Sequence, residues 1–317
     1  MAAIPIAGLY LYVRAERASN VRDMAMEKAV DYDIEKLQQI DPALIHYHES
    51  RKIETGMTCG RALALDRSGN LLVAGDTGIR FILPGGDRED WNLMVAPNAI
   101  AVSENGDVYA AMKDHVEVLG SDGARKASWP LLGEGAYLTG VAVAGDNVYL
   151  ADSGRRVIIR TDLSGKTLSE IGRANPARGI PGLLLPSPHL GVAVAADASI
   201  WVNNAGRHQL ENYKADGTLE RFWGVSGTSV EAFSGCCNPA AFVLLPDGSF
   251  ITAEKGIARV KHYRADGKFE SVVAGPASFD GATSSLSIVV DSGGRIYVLE
   301  RGTGRVHVFE RNAGGAT

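Results

Sequence analysis

The side chains best equipped for chemistry gather in a few loops. Cys236 and Cys237 are adjacent within Phe233-Ser234-Gly235-Cys236-Cys237-Asn238-Pro239, and the third cysteine is Cys59. Adjacent thiols have three chemistries open to them. They stay reduced, close a strained vicinal disulfide, or bind a soft metal as thiolates with Cys59, His189 or His208 completing the shell. The sequence has neither the Cys-x-x-Cys spacing of a zinc site nor the Cys-x-x-Cys-His of haem attachment. Asn98, Asn204, Asn238, His189 and Glu254 are donors that a metal-dependent lactonase or lyase would use, but they form no complete ligand set. A nucleophile elbow Gly-x-Ser-x-Gly, a glycine-rich phosphate cradle and a calcium-loop motif are all missing from the sequence. The metal and cofactor state is therefore left open by the residues.

The positions of these groups follow from a repeat. Apolar first strands read Ala62–Leu65, Ala99–Val102, Gly140–Val143, Gly191–Val194, Ala241–Leu244 and Ser287–Val290. Each is followed by a polar turn and a second apolar strand, whose third residue falls at 73, 110, 150, 202, 252 and 298. The gaps of 37, 40, 52, 50 and 46 residues are those of one propeller blade per copy. Turns such as Asn105-Gly106 and Asp247-Gly248 suit hairpins, because Gly accepts positive φ and Asp or Asn bonds the nearby backbone. Asp122-Gly123, Asp216-Gly217 and Asp266-Gly267 follow the third strands and predict a fourth, as in Thr218–Trp223 and Lys268–Val273. The sixth copy lacks an outer strand after Val306–Phe309, which would leave a bare sheet edge. The strand-like segment Leu44–Glu54 is expected to supply it and close the ring. The predicted fold is all-β: a six-bladed propeller over residues 44–317, preceded by an apolar and helical extension over 1–43.

Within this frame, Val148-Tyr149-Leu150-Ala151-Asp152-Ser153-Gly154-Arg155-Arg156-Val157 resembles the NHL-repeat family of six-bladed propellers. Residues 202–210, 254–260 and 300–306 fit the same pattern, and the resemblance spans roughly Thr58 to Glu310. The first two copies depart from it, with Gly75-Asp76 and Met112-Lys113 in place of the usual acid. The resemblance implies a fold and no one activity, since the family includes binding scaffolds, sensors and some enzymes.

In a propeller, the loops leading into first strands and those joining second to third strands meet at one end of the channel, and function concentrates in such loops. That places Cys59, Asn98, Thr139 and His189 on one face with Asp76, Arg207, His208, Glu300 and Arg301. The acids and amides Asp152, Asn204, Glu254 and Glu300 are expected mainly to hold loops, pairing with Arg156, Arg259 and Arg305. From the fourth and fifth copies, His189, Arg207, His208, Cys236, Cys237, Asn238, Glu254 and Lys255 are the expected ligand-binding set, with no catalytic residue assigned.

Charge and composition limit the partners. A formal net charge of −5 argues against nucleic acid, which selects for a basic face. The 37 glycines sit mostly in turns, and 45% hydrophobic residues suffice for a substantial core. Residues 2–13 form an apolar run followed by Arg14 and Arg17, too short for a standard spanning helix of about 20 residues. It reads as part of a signal-anchor, a membrane-surface segment or an apolar cap, so an exported or membrane-anchored location stands beside a cytoplasmic one. The functional expectation is a non-catalytic binding propeller that takes a protein partner or a small molecule at the channel mouth. It would act as an assembly or sensing module and could be tethered to a membrane. The alternative is a metal-dependent lactonase, other hydrolase or lyase.

Overall fold

The structure is a computed structural model that describes residues 37–280 and 285–313. The anticipated extension over 1–43 falls almost entirely outside the described residues. Among the described residues no helix is long and apolar enough to cross a membrane.

Six antiparallel sheets of four strands make the fold. The innermost strands of blades one to six are Gly60–Leu65, Ala99–Val102, Leu138–Ala144, Val192–Val194, Ala241–Leu244 and Leu286–Val290. Each contacts the innermost strand of the next blade, and the sixth contacts the first, so the ring is closed. The six-bladed all-β prediction therefore holds, and the repeat also placed the inner strands to within two residues.

The outer strand of blade six is Tyr47–Glu54, which pairs antiparallel with Arg305–Arg311. Ile53 lies opposite Val306 and Glu49 opposite Phe309. A segment from before blade one thus covers the last sheet edge, and Arg305 reinforces the seam through Glu54 at 2.6 Å.

Second strands such as Leu71–Gly75 and Val108–Ala111 are buried throughout, because each blade is packed on both faces. Large aromatics seal the joints between blades. Trp91, from the outer strand of blade one, lies against Gly123 of the Asp-Gly turn of blade two, and Trp223 of blade four lies against Gly267 of blade five. A Cβ on either glycine would come within 2.5 Å of the indole, and both have positive φ. Glycine is needed there for space and for conformation alike.

Candidate functional site

The channel opens into a cavity of about 610 Å³. Its polar rim includes Cys59, Arg61, Asn98, Tyr137, His189 and Arg301, while Leu63, Ile100, Val141, Phe242 and Ile288 give it an apolar wall. This volume is in the range of sites for small molecules, about 300–1,000 Å³.

Hydrogen bonds between blades hold the rim. The Asn98 amide donates to Leu138 O at 3.0 Å and accepts from Arg61 Nη1 at 3.0 Å, linking the first three blades. Thr139 Oγ1 donates to Leu190 O at 2.9 Å, and Asn203 Nδ2 to Pro239 O at 2.9 Å. Gly60 N donates to Arg301 O at 3.1 Å across the seam between blades six and one. Backbone groups at the mouth are thereby satisfied, and the side chains facing the cavity sit on a rigid frame.

The eight residues singled out from the sequence divide into three groups. His189 lines the cavity. Burial, then the charges of Lys255 and Arg301, pull its pKa down to about 4, so it is neutral at physiological pH. Beside it, Lys255 Nζ donates to Ser187 Oγ at 2.9 Å. Cys236 and Cys237 are free thiols with their sulfurs 2.9 Å apart, the first exposed and the second buried. Burial raises the Cys237 pKa, but Cys236, Ser187 and Lys255 outweigh it and leave the thiol below its ordinary value. The Cys236 pKa is raised, chiefly by its bond to Cys237. Lys255, Ser187 and the cysteine pair form a polar shoulder next to His189.

Asn238 and Glu254 have structural positions instead. Asn238 is buried, accepts from Lys255 N at 2.9 Å, and donates to Ser234 O at 2.7 Å and Lys255 O at 3.0 Å. It clamps two loops of blade five together. Glu254 is fully buried between Arg259 at 2.7 Å and Lys261 at 3.3 Å, and accepts from Ser234 N at 3.2 Å. A carboxylate so enclosed has no face left for an outside ligand. Burial, opposed by Glu254 and assisted by Arg259, lowers Lys261 to about 8.

Arg207 is exposed, and His208 follows it in the left-handed region at φ 59°. Burial lowers the His208 pKa, opposed in part by the Asn238 backbone and by Glu254, so His208 lies on the same side as the blade-five loop. Neither residue lines the channel cavity.

The expected framework pairs need correction at two places. Asp152 binds Arg155 Nε at 2.6 Å, not Arg156, and also accepts from Tyr137 N and Arg155 N. Arg156 has positive φ, which places the turn one residue out of step with the repeat. Arg305 pairs with Glu54 and Asp280, because the closing strand brings Glu54 alongside it, while Glu300 meets Asp280 N and Thr303. The Arg259–Glu254 pair is as expected. Asp76 takes over the loop-holding role in blade one, accepting from Thr58 N, Thr58 Oγ1 and Cys59 N.

These contacts also decide the fit to a divalent metal. The side-chain oxygens proposed as ligands are already occupied: Asn98 by Arg61, Asn204 by Leu184 N at 2.9 Å, Asn238 by Lys255 N and Glu254 by its cations. No group of three His, Cys, Asp or Glu side chains able to hold a metal stands together among the described residues. Cys59 belongs to blade one, two blades away from the cysteine pair, at the seam with blade six. As they stand among the described residues, these side chains do not fit a divalent metal.

Sequence reasoning passed over Arg61 and left Arg301 outside the expected set. Both line the cavity. The available signal was a charged residue in an otherwise apolar innermost strand, Gly60-Arg61-Ala62-Leu63-Ala64-Leu65.

No family model and no curated protein matches the chain. Solved structures do. A streptogramin B lyase aligns at TM-score 0.59 with 11% identity, over 86% of this chain and 100% of that one. A gluconolactonase from Xanthomonas campestris aligns at TM-score 0.60 with 14% identity, over 84% of this chain and 96% of that one. The WD40 propeller domain of Doa1 aligns at TM-score 0.56 with 14% identity, over 80% of this chain and 79% of that one. At such identities the likeness is one of fold, shared by enzymes and a WD40 domain, and the NHL resemblance stands only at that level.

Proposed function

We propose that this propeller binds a small molecule at the mouth of its channel and does not turn it over. The observation that carries this reading is the rim itself: a cavity with an apolar wall and a polar edge, in which Asn98, the one candidate metal-ligating amide that lines it, is already hydrogen-bonded to Arg61 and Leu138 within the protein. The cavity suits a compact ligand better than a protein loop, because most of its lining lies on innermost strands and the residues leading into them.

A fragment library screened by thermal shift tests this reading, using wild type and the channel-filling variants Ser287→Trp and Ser287→Leu. Ser287 lines the cavity on an innermost strand. A ligand at a hundred times its Kd stabilises by about 2.7 kcal/mol, and the variants should lose that gain. Stabilisation that persists in a folded variant would place binding elsewhere. Lactone hydrolysis or lyase turnover with added Mg²⁺ or Ca²⁺ that Ser287→Trp abolishes would replace the binding reading with an enzymatic one.

Attachment to a membrane is a separate proposal that rests on the apolar run at residues 2–13 alone. The full chain should float with phosphatidylcholine vesicles, and a Leu9→Asp/Leu11→Asp variant should not. Equal flotation of the two would remove it.

A further inference from the structure

The charges at the channel mouth do not balance. Arg61 and Arg301 face the same cavity from blades one and six, and no Asp or Glu lines it among the described residues. Arg61 donates only to neutral acceptors, Asn98 Oδ1 at 3.0 Å and Ala96 O at 3.3 Å. Among the described residues the Arg301 side chain has no hydrogen-bond or ion-pair partner, and its Nε is shut off from water. The groups acting on it electrostatically are Arg61, Cys59 and Tyr137, with no carboxylate among them. Lys255 adds a third positive charge near His189.

Arginines elsewhere that lack a protein acceptor among the described residues, such as Arg51, Arg156 and Arg207, are exposed to water, and Arg301 is not. Arg80, Arg155, Arg259, Arg295 and Arg305 each have a carboxylate at 2.6–2.7 Å. Nor does the fold need the Arg301 charge, since the structural contacts of that residue run through its backbone, with Arg301 N to Ser285 O and Arg301 O to Gly60 N. Two guanidinium groups in one partly desolvated cavity repel, and an enclosed N–H donor lacking an acceptor is unfavourable. Both conditions are relieved together by one anion.

We propose that the ligand of this channel is a small organic anion whose carboxylate or phosphate head lies between Arg61 and Arg301, with its apolar body against Phe242, Ile100 and Ile288. The planar fork of each guanidinium matches the paired oxygens of such a head. Neutral His189 and the Thr139 hydroxyl oxygen border the same space and supply hydrogen bonds for polar substituents on the body. The inference rests on the reading of the channel as the binding site and adds the charge of what binds there.

Calorimetry with matched probes tests it: 4-phenylbutyrate, its neutral amide 4-phenylbutyramide, and phenyl phosphate. At low salt the two anions should bind at least tenfold more tightly than the amide, and the better of them identifies the head group. Arg301→Met and Arg61→Met should each remove most of that preference, whereas Arg301→Lys should retain part of it. Raising salt should weaken the anions and leave the amide unchanged. If either Met variant fails to fold, the anion–amide contrast and its salt dependence in wild type decide the matter. Equal affinity for anion and amide, with both lost in Ser287→Trp, would overturn the inference and leave the channel reading standing. Binding of none of these probes, together with no library fragment sensitive to Ser287→Trp, would remove the channel reading and the inference with it.

Discussion

Blade five and the channel mouth both take arginine and lysine away from water, and they treat them in opposite ways. In blade five, Glu254 pairs with both Arg259 and Lys261, and the Lys261 ammonium also donates to Val230 O and Ala232 O at 3.1 and 2.8 Å. The cluster is closed. At the mouth, Arg61 and Arg301 share a cavity with no counter-ion among the described residues. The contrast separates charges that hold a loop from charges that await a ligand, although the residue types are the same. Burial alone does not distinguish them; saturation of the hydrogen bonds does.

The seam between blades six and one bears most heavily on this contrast, because it brings Arg301 beside Arg61. Removing residues 1–43 should leave cooperative unfolding intact, while removal through Glu54 strips the outer strand from blade six and uncovers its edge. We expect loss of cooperative folding in the longer deletion, followed by circular dichroism during urea titration. A fully cooperative longer deletion would show that the seam holds without its closing strand.

Glu254→Gln attacks the closed cluster directly. It leaves two buried cations with an amide in place of their anion, and breaking such a pair is expected to destabilise by about 3–5 kcal/mol. Urea unfolding at neutral pH measures it. A loss below about 1 kcal/mol would mean that Arg259 and Lys261 find relief elsewhere, and the two regions would no longer differ in kind.

His189 reports on the mouth through pH. Its folded pKa of about 4 lies below the ordinary 6.5, so between those values the unfolded chain binds more protons than the folded one. Stability from this group is complete above pH 6.5 and falls as the pH drops toward 4. The effect is on the order of 2 kcal/mol once partial exposure is allowed for. His189→Gln should flatten the stability profile across that window and leave the steeper loss below pH 4, where carboxylates such as Asp90 and Asp291, whose pKa values are lowered in the fold, become protonated. An unchanged profile would place the imidazole in water.

Much of the architecture was legible from the repeat, since period-two alternation and Asp-Gly turns are local signals that the tertiary structure reinforces. The closing strand was legible for a different reason: an uncovered sheet edge needs a partner, and residues 44–54 were the available strand. The mouth was harder to read. His189 is found there, but Asn238 and Glu254 were drawn toward the site by residue type, and only their partners show them to be internal clamps. Arg61 lay inside an apolar strand, where its direction depends on the pleat and on the neighbouring blade. Pairing distances across blades cannot be read from a linear spacing.

The smallest expected effect sharpens the contrast most. Arg301→Met removes a charge that has no partner among the described residues, so the described fold gives up no side-chain hydrogen bond or ion pair, and the backbone bonds through Ser285 and Gly60 remain. The lost repulsion from Arg61 and the lost desolvation of the guanidinium act in the stabilising direction. Unfolding free energy should therefore change by less than about 0.5 kcal/mol, or rise by up to ~1 kcal/mol, in the absence of ligand. Measured beside Glu254→Gln, this variant separates a charge the fold depends on from one that it merely carries. A loss of 2 kcal/mol or more in Arg301→Met would show that the guanidinium supports the ring itself, and the two regions would then have to be read as variants of one structural device.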